Sequence, residues 1–251
     1  LVSDYTHTMT AQNQTIVSGD HSYEVIIAGK TAATKLIIHY AGTAYLGLRG
    51  PTTFENITMN VSGSSNMTIY GNNGGLVKIG KNVSTTSSTK LKLSAGPMKS
   101  NYNGPMSLEV NSGNWQDLFA GCYMYTLNGT GSLVMNGGSA VNVQTTYNGK
   151  HTGDLTITGN GTIVASGTYG IGVSATGYLT IENGTFIAGE KNDYIVGNYG
   201  VTVINNGTFE GVYNCVNNFA GVTKIYGGDG VSFTAQAQKQ LKQLTELGFD
   251  K

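Results

Sequence analysis

The stretch "LTIENGTFIAG" (residues 179–189) decides the fold, because it is one copy of a phrase that the chain repeats. "LTITGNGTIVASG" (155–167) precedes it and "VTVINNGTFEG" (201–211) follows it. Each copy opens with apolar residues two apart, the mark of a strand with one face turned inward. A polar break containing Asn and Gly comes next, then a further apolar residue. Asn tolerates the left-handed backbone region better than other non-glycine residues and Gly enters it without steric cost, so an Asn-Gly break between short strands is a sharp corner.

Aligned on the first apolar residue, the phrase extends beyond three copies. Leu108, Leu133, Leu155, Leu179 and Val201 open successive units at spacings of 25, 22, 24 and 22 residues. Val110, Met135, Ile157, Ile181 and Val203 follow two residues later, and Trp115, Val141, Ile163, Phe186 and Phe209 come after the break. The breaks read "NSGN" (111–114), "NGGS" (136–139), "GNGT" (159–162), "NGT" (183–185) and "NNGT" (205–208). Stacked units place Asn160, Asn183 and Asn206 one above another, a turn ladder whose amides hydrogen-bond along the stack.

A unit this short cannot bury its apolar residues alone, so the units must stack. The chain lacks the six-residue beat of a hexapeptide solenoid and the consensus of a leucine-rich repeat. Units of 22 to 25 residues with variable loops suit an all-β, right-handed parallel β-helix, with three short strands and three turns per coil. Roughly nine coils then make a rod about 45 Å long at a strand spacing of ~4.8 Å.

The recurrent "LTIxNGTF" phrase, the Asn corner and the irregular coil length resemble the pectin-lyase-like β-helix superfamily, especially long extracellular bacterial surface proteins. The resemblance covers about residues 50 to 233. It implies a parallel β-helix over 51–233 and, for the superfamily's enzymes, polysaccharide cleavage. Lyases of that kind use an acidic cluster for calcium with a basic residue that abstracts a proton, and hydrolases use aspartates clustered on adjacent coils. The chain offers Asp117, Asp154, Asp193 and Asp229 with Glu182, Glu190 and Glu210. They fall at different points around the coil, apart from a loose grouping of Glu190, Asp193 and Glu210, and the only arginine, Arg49, lies far from them.

The expectation is therefore a non-catalytic extracellular module of a microbial surface or secreted protein, a rigid stalk or adhesion surface. Its expected partner is a polysaccharide or a host or cell-surface protein. A polysaccharide lyase or glycoside hydrolase of the same fold is the enzymatic alternative, and a phage tail-spike segment is a third. Fifteen tyrosines suggest where a ligand sits: Tyr169, Tyr194, Tyr199, Tyr213 and Tyr226 cluster in or near the clear repeats. A tyrosine offers a flat apolar face and a polar tip, suited to sugar rings or a partner protein, although it also suits any half-buried strand face.

The ends read differently. Residues 1–50 contain the strand phrases "YEVIIAG" and "TKLIIHY" and form an opening β cap or the first coils. Residues 234–251 include "TAQAQKQLKQLTELG", rich in helix formers, with Leu241, Leu244 and Leu247 on a narrow stripe. A short C-terminal helix there would cap the last coil, whose open edge invites aggregation, or connect to another domain.

Other signals exclude more than they suggest. Fourteen basic residues balance fourteen acidic ones, which is no footprint for nucleic acid, and no apolar run is long enough to span a membrane. "GLVKIGKN" (75–82) imitates a phosphate-binding loop but has Asn82 where Ser or Thr must meet magnesium, and strand-type sequence follows it where a helix should. His7, His21, His39 and His151 lack metal-ligand spacing, so neither a metal nor a cofactor is expected. Cys122 and Cys215 lie about four coils apart, too far for a disulfide, and read as buried free thiols. Nine N-x-S/T sequons occur, among them Asn13, Asn56 and Asn128, and are read as corner chemistry rather than glycan sites.

Overall fold

The computed structural model describes residues 1–16, 22–63, 66–71, 75–86, 91–96, 106–119, 131–144, 153–159, 161–165, 170–189, 194–210, 214–226 and 231–233. Every strand pairing in it is parallel, and no helix occurs among the described residues. The short helix expected within 234–251 lies outside them.

The chain winds through three faces, one level at a time. The first level comprises β1 (Tyr5–Thr8), β2 (Asn13–Thr15) and β3 (Val25–Ala28), and the second β4 (Lys35–His39), β5 (Ala44–Leu48) and β6 (Thr52–Glu55). β7 (Ile57–Ser62), β8 (Met67–Gly71) and β9 (Gly75–Ile79) make the third, and β10 (Val83–Thr85), β11 (Leu91–Ser94) and β12 (Met106–Val110) the fourth. Two levels then have two strands each among the described residues, β13 (Asn114–Phe119) with β14 (Gly131–Met135), and β15 (Ser139–Gln144) with β16 (Gly153–Ile157). Three-strand levels resume with β17 (Thr162–Ala165), β18 (Ile171–Val173) and β19 (Tyr178–Ile181), then β20 (Thr185–Ala188), β21 (Tyr194–Asn198) and β22 (Val201–Ile204). β23 (Gly207–Glu210), β24 (Asn214–Asn218) and β25 (Val222–Ile225) follow, and β26 (Val231–Phe233) pairs with β23.

The result is a parallel β-solenoid. One sheet runs β3-β6-β9-β12-β14-β16-β19-β22-β25, nine strands with one from each level. Residues 1–50 contribute five strands to the same three sheets as the rest. The other two faces fuse at β13 and β15. The first half of β13 lies beyond β10, where the Thr85 hydroxyl donates to Asn114 O, while its second half pairs with β11. β15 then forks, its start continuing in β17 and its end in β18.

Alternation breaks where the faces fuse. Trp115 and Leu118 both point inward with Gln116 and Asp117 outside between them, and Ala140 and Val143 repeat the arrangement one level on. The inward partner of Trp115 is therefore Ala140, not the Val141 that simple alignment selects. A small residue opposite the indole leaves room for it, and Trp115 Nε1 donates to Ser112 O at 3.0 Å.

A second register differs by one residue. The pairing matches Tyr178 with Val201 and Leu179 with Thr202, so Thr202 and Ile204 face the core where Val201 and Val203 were expected. Such a slip turns a whole strand over. The corner decides it: Thr185 pairs with Thr208 and Phe186 with Phe209, whose rings stack at 4.7 Å, and that alignment forces Ile181 onto Ile204. The core column consequently runs Val110, Met135, Ile157, Ile181, Ile204, each under 1 % exposed.

Candidate binding face

Two segments near the C-terminal end of the solenoid share a corner design, "VGNYGVTVI" (196–204) and "VNNFAGVTKI" (216–225). In each, an asparagine ends the strand and an aromatic residue follows. Asn198 and Asn218 are in register on β21 and β24. Asn198 is wholly buried; its amide N–H groups reach Asn218 Oδ1 at 2.8 Å, Thr223 Oγ1 at 3.0 Å and Val222 O at 3.1 Å, and its Oδ1 accepts from Gly200 N–H at 3.1 Å. Asn218 Nδ2 donates to Gly221 O at 2.6 Å. A buried amide left unbonded would be costly, so this network holds both corners in one shape.

The fixed corner turns the next side chain out. Tyr199 and Phe219 lie one above the other, ring centroids 4.7 Å apart and planes within 9°, with 45 % and 43 % of their surface exposed. Tyr194, almost buried, meets Phe219 edge-on at 5.5 Å. Beside this cluster the outward column of the nine-stranded sheet runs Tyr178, Val201, Val222, and its first and last members are more than half exposed. Tyr226, also exposed, follows β25 and donates its N–H to Ile204 O at 2.9 Å. Around the apolar surface lie polar groups: Thr180 and Lys224 on the neighbouring outward column, and Glu182, whose carboxylate accepts from Asn205 Nδ2 at 2.9 Å.

Of the tyrosines singled out in the sequence, Tyr194, Tyr199 and Tyr226 are described and belong to this end of the molecule, whereas Tyr169 and Tyr213 lie outside the described residues. Phe219, Tyr178 and Val222 were missed. Phe219 and Val222 had a signal in the paired corners "NYGVT" (198–202) and "NFAGVT" (218–223), which a count of tyrosines alone passes over; Tyr178 lies outside that motif.

Asn183 and Asn206 occupy matching corners, and Asn160 lies outside the described residues. Asn206 Oδ1 accepts from Gly207 N–H at 2.7 Å. A hydrogen-bonded amide column stands one position nearer the strand, where Asn111 Nδ2 donates to Ile79 O, Asn136 Nδ2 to Asn111 Oδ1 at 3.1 Å, and the Thr158 hydroxyl to Asn136 Oδ1.

The carboxylates do not converge among the described residues. Glu109 pairs with Lys78 at 3.1 Å, and its hydrogen bond from Asn111 together with Lys78 holds its carboxyl below the usual range. Asp117 pairs with Lys92 at 2.6 Å. Glu190, Asp193 and Asp229 lie outside the described residues. No group of three or more His, Cys, Asp and Glu side chains able to hold a metal occurs among those described. "GLVKIGKN" is a strand, a corner with Asn82 at φ 56° and then β10, so no helix N-terminus follows it.

No family model, curated protein or solved structure matches the chain.

Proposed function

We propose that this chain is a non-catalytic β-solenoid module of an extracellular microbial surface or secreted protein, built on a pectin-lyase-like β-helix, and that it binds glycans through its C-terminal aromatic face. The observation that carries the reading is the exposed Tyr199–Phe219 stack, flanked by Tyr178 and Val222 on a parallel sheet whose far edge carries the exposed Tyr226. Pyranose rings present apolar C–H faces that pack on aromatic rings, while their hydroxyls meet polar groups such as those bordering this patch. Patches of exposed apolar surface edged with polar residues mark interaction sites. The ladder holds the rings in place before any ligand arrives, which lowers the ordering cost of binding.

The test is native affinity electrophoresis against a panel of soluble plant, host and bacterial polysaccharides. Retardation by at least one polymer, lost in Tyr199→Ala and Phe219→Ala but kept in Tyr23→Ala at the far end, is the expected result. Retardation that survives both substitutions contradicts the assignment of the face, and disappearance of polymer from the protein zone contradicts a non-catalytic role.

A further inference from the structure

The outward column at the fused faces holds an amine, a carboxylate and a carboxamide on three consecutive levels. Lys92 pairs with Asp117 and Asp117 with Asn142 in the strand register. Both neighbours lean onto the middle residue: Lys92 Nζ lies 2.6 Å from Asp117 Oδ2, and Asn142 Nδ2 donates to Asp117 Oδ1 at 2.9 Å. One carboxylate therefore spans the gap between the amine and the amide. The site faces outward yet is shielded. Asp117 is 8 % exposed, and Tyr70, Ser94 and Phe119 in the adjoining outward column are buried as well.

A solvated lysine is protonated and a poor nucleophile, but a shielded one that can pass its proton to a touching carboxylate is activated. Proximity supplies the rest, because groups held in one fixed geometry react at very high effective concentration. We propose that Lys92 and Asn142 form an intramolecular amide bond, with Asp117 carrying the protons. Asp117 takes a proton from the Lys92 ammonium, and the free Nζ attacks Asn142 Cγ. As the tetrahedral centre collapses, the C–N bond to the Asn142 amide nitrogen breaks, and that nitrogen leaves as ammonia with a second proton from Nζ. The first proton passes from Asp117 to the departing ammonia, which leaves as ammonium, and the carboxylate is regenerated. No oxidant or co-reactant is needed. The bond ties β11 to β15 across β13, the level at which the two faces fuse, and acts as a covalent clamp there.

Intact-mass spectrometry and tryptic mapping of the purified chain test it. The wild type should weigh one ammonia less than its sequence, and trypsin should yield a branched peptide joining the Lys92 and Asn142 segments with no cut after Lys92. Lys92→Arg, which keeps the cation and its ion pair, and Asp117→Asn should both show the full mass; circular dichroism of a folded Lys92→Arg protein separates loss of the bond from loss of the fold. Asn142→Asp should lose one water instead of one ammonia. A wild-type mass equal to that of the sequence, with cleavage after Lys92, overturns the proposal whatever the variants do.

Discussion

Thr202 stands where its ladder neighbour Leu179 is apolar, fully buried, and its hydroxyl has no hydrogen-bond partner among the described residues. An unbonded buried hydroxyl costs free energy that an isosteric methyl does not. Thr202→Val should therefore stabilise the protein by about 1 kcal/mol, visible as a higher urea midpoint with an unchanged slope. A lower midpoint would mean that the hydroxyl is bonded after all. Cys215 is a second residue with a definite consequence. It is a buried free thiol, as the sequence suggested, and burial pushes its pKa up to about 12. The folded thiol keeps its proton at a pH where the unfolded chain has lost it. Its contribution to stability is thus complete below about pH 9 and lost as pH rises toward about 12. Urea titrations across that window should show a decline in stability that Cys215→Ala makes shallower, by at most about 1.4 kcal/mol per pH unit. Equal slopes would show that the thiol ionises freely in the folded state. Cys122 lies outside the described residues.

At the scale of strands and corners, the corner amides and glycines set what the apolar pattern leaves open. Asn198→Ala removes the buried hub that bonds Asn218, Thr223, Val222 and Gly200, and should cost about 2 kcal/mol because the buried Gly200 N–H loses its acceptor and the corner loses its cross-links together. It should also weaken polysaccharide retardation by loosening Tyr199, whereas a loss below about 1 kcal/mol in thermal or urea unfolding would contradict its place as the hub. Gly138→Ala tests the other corner type. At φ 79° its added Cβ would lie 2.6 Å from Gly113 O, so the substitution should cost more than about 1 kcal/mol and lower the melting temperature. The repeat was legible because two signals with different physical causes, period-two apolar residues and Asn-Gly corners, coincide in each copy. Val201 misled because "VTVI" carries apolar residues on both parities, so either face can pass for the inner one. Only the downstream Phe186–Phe209 alignment resolves it. Val141 misled because alternation is interrupted where two faces run into one strand, an event without a residue signature. The exposed aromatic patch was half legible: the sequence offers Tyr199 and Tyr226, but the ring stacked on Tyr199 is a phenylalanine brought to it by strand register, which composition does not carry.

Across the whole molecule, each level adds one strand spacing to a continuous ladder. Solenoid stability is a sum of levels and their interfaces, so local damage propagates only to neighbouring levels. The exposed aromatic face depends on the same ladder, since Tyr199 and Phe219 meet only if successive levels are in register. Lys78 and Lys224 lie on one outward column, six levels apart through Glu109, Val134, Thr156, Thr180 and Val203. The direct measurement is pulsed electron resonance between spin labels at Lys78→Cys and Lys224→Cys, with both native cysteines replaced by alanine. At ~4.8 Å per level the ladder predicts one narrow distribution near about 29 Å, widened only by the label side chains. A broad distribution, or one centred well away from that distance, would contradict the solenoid and the binding face built on it.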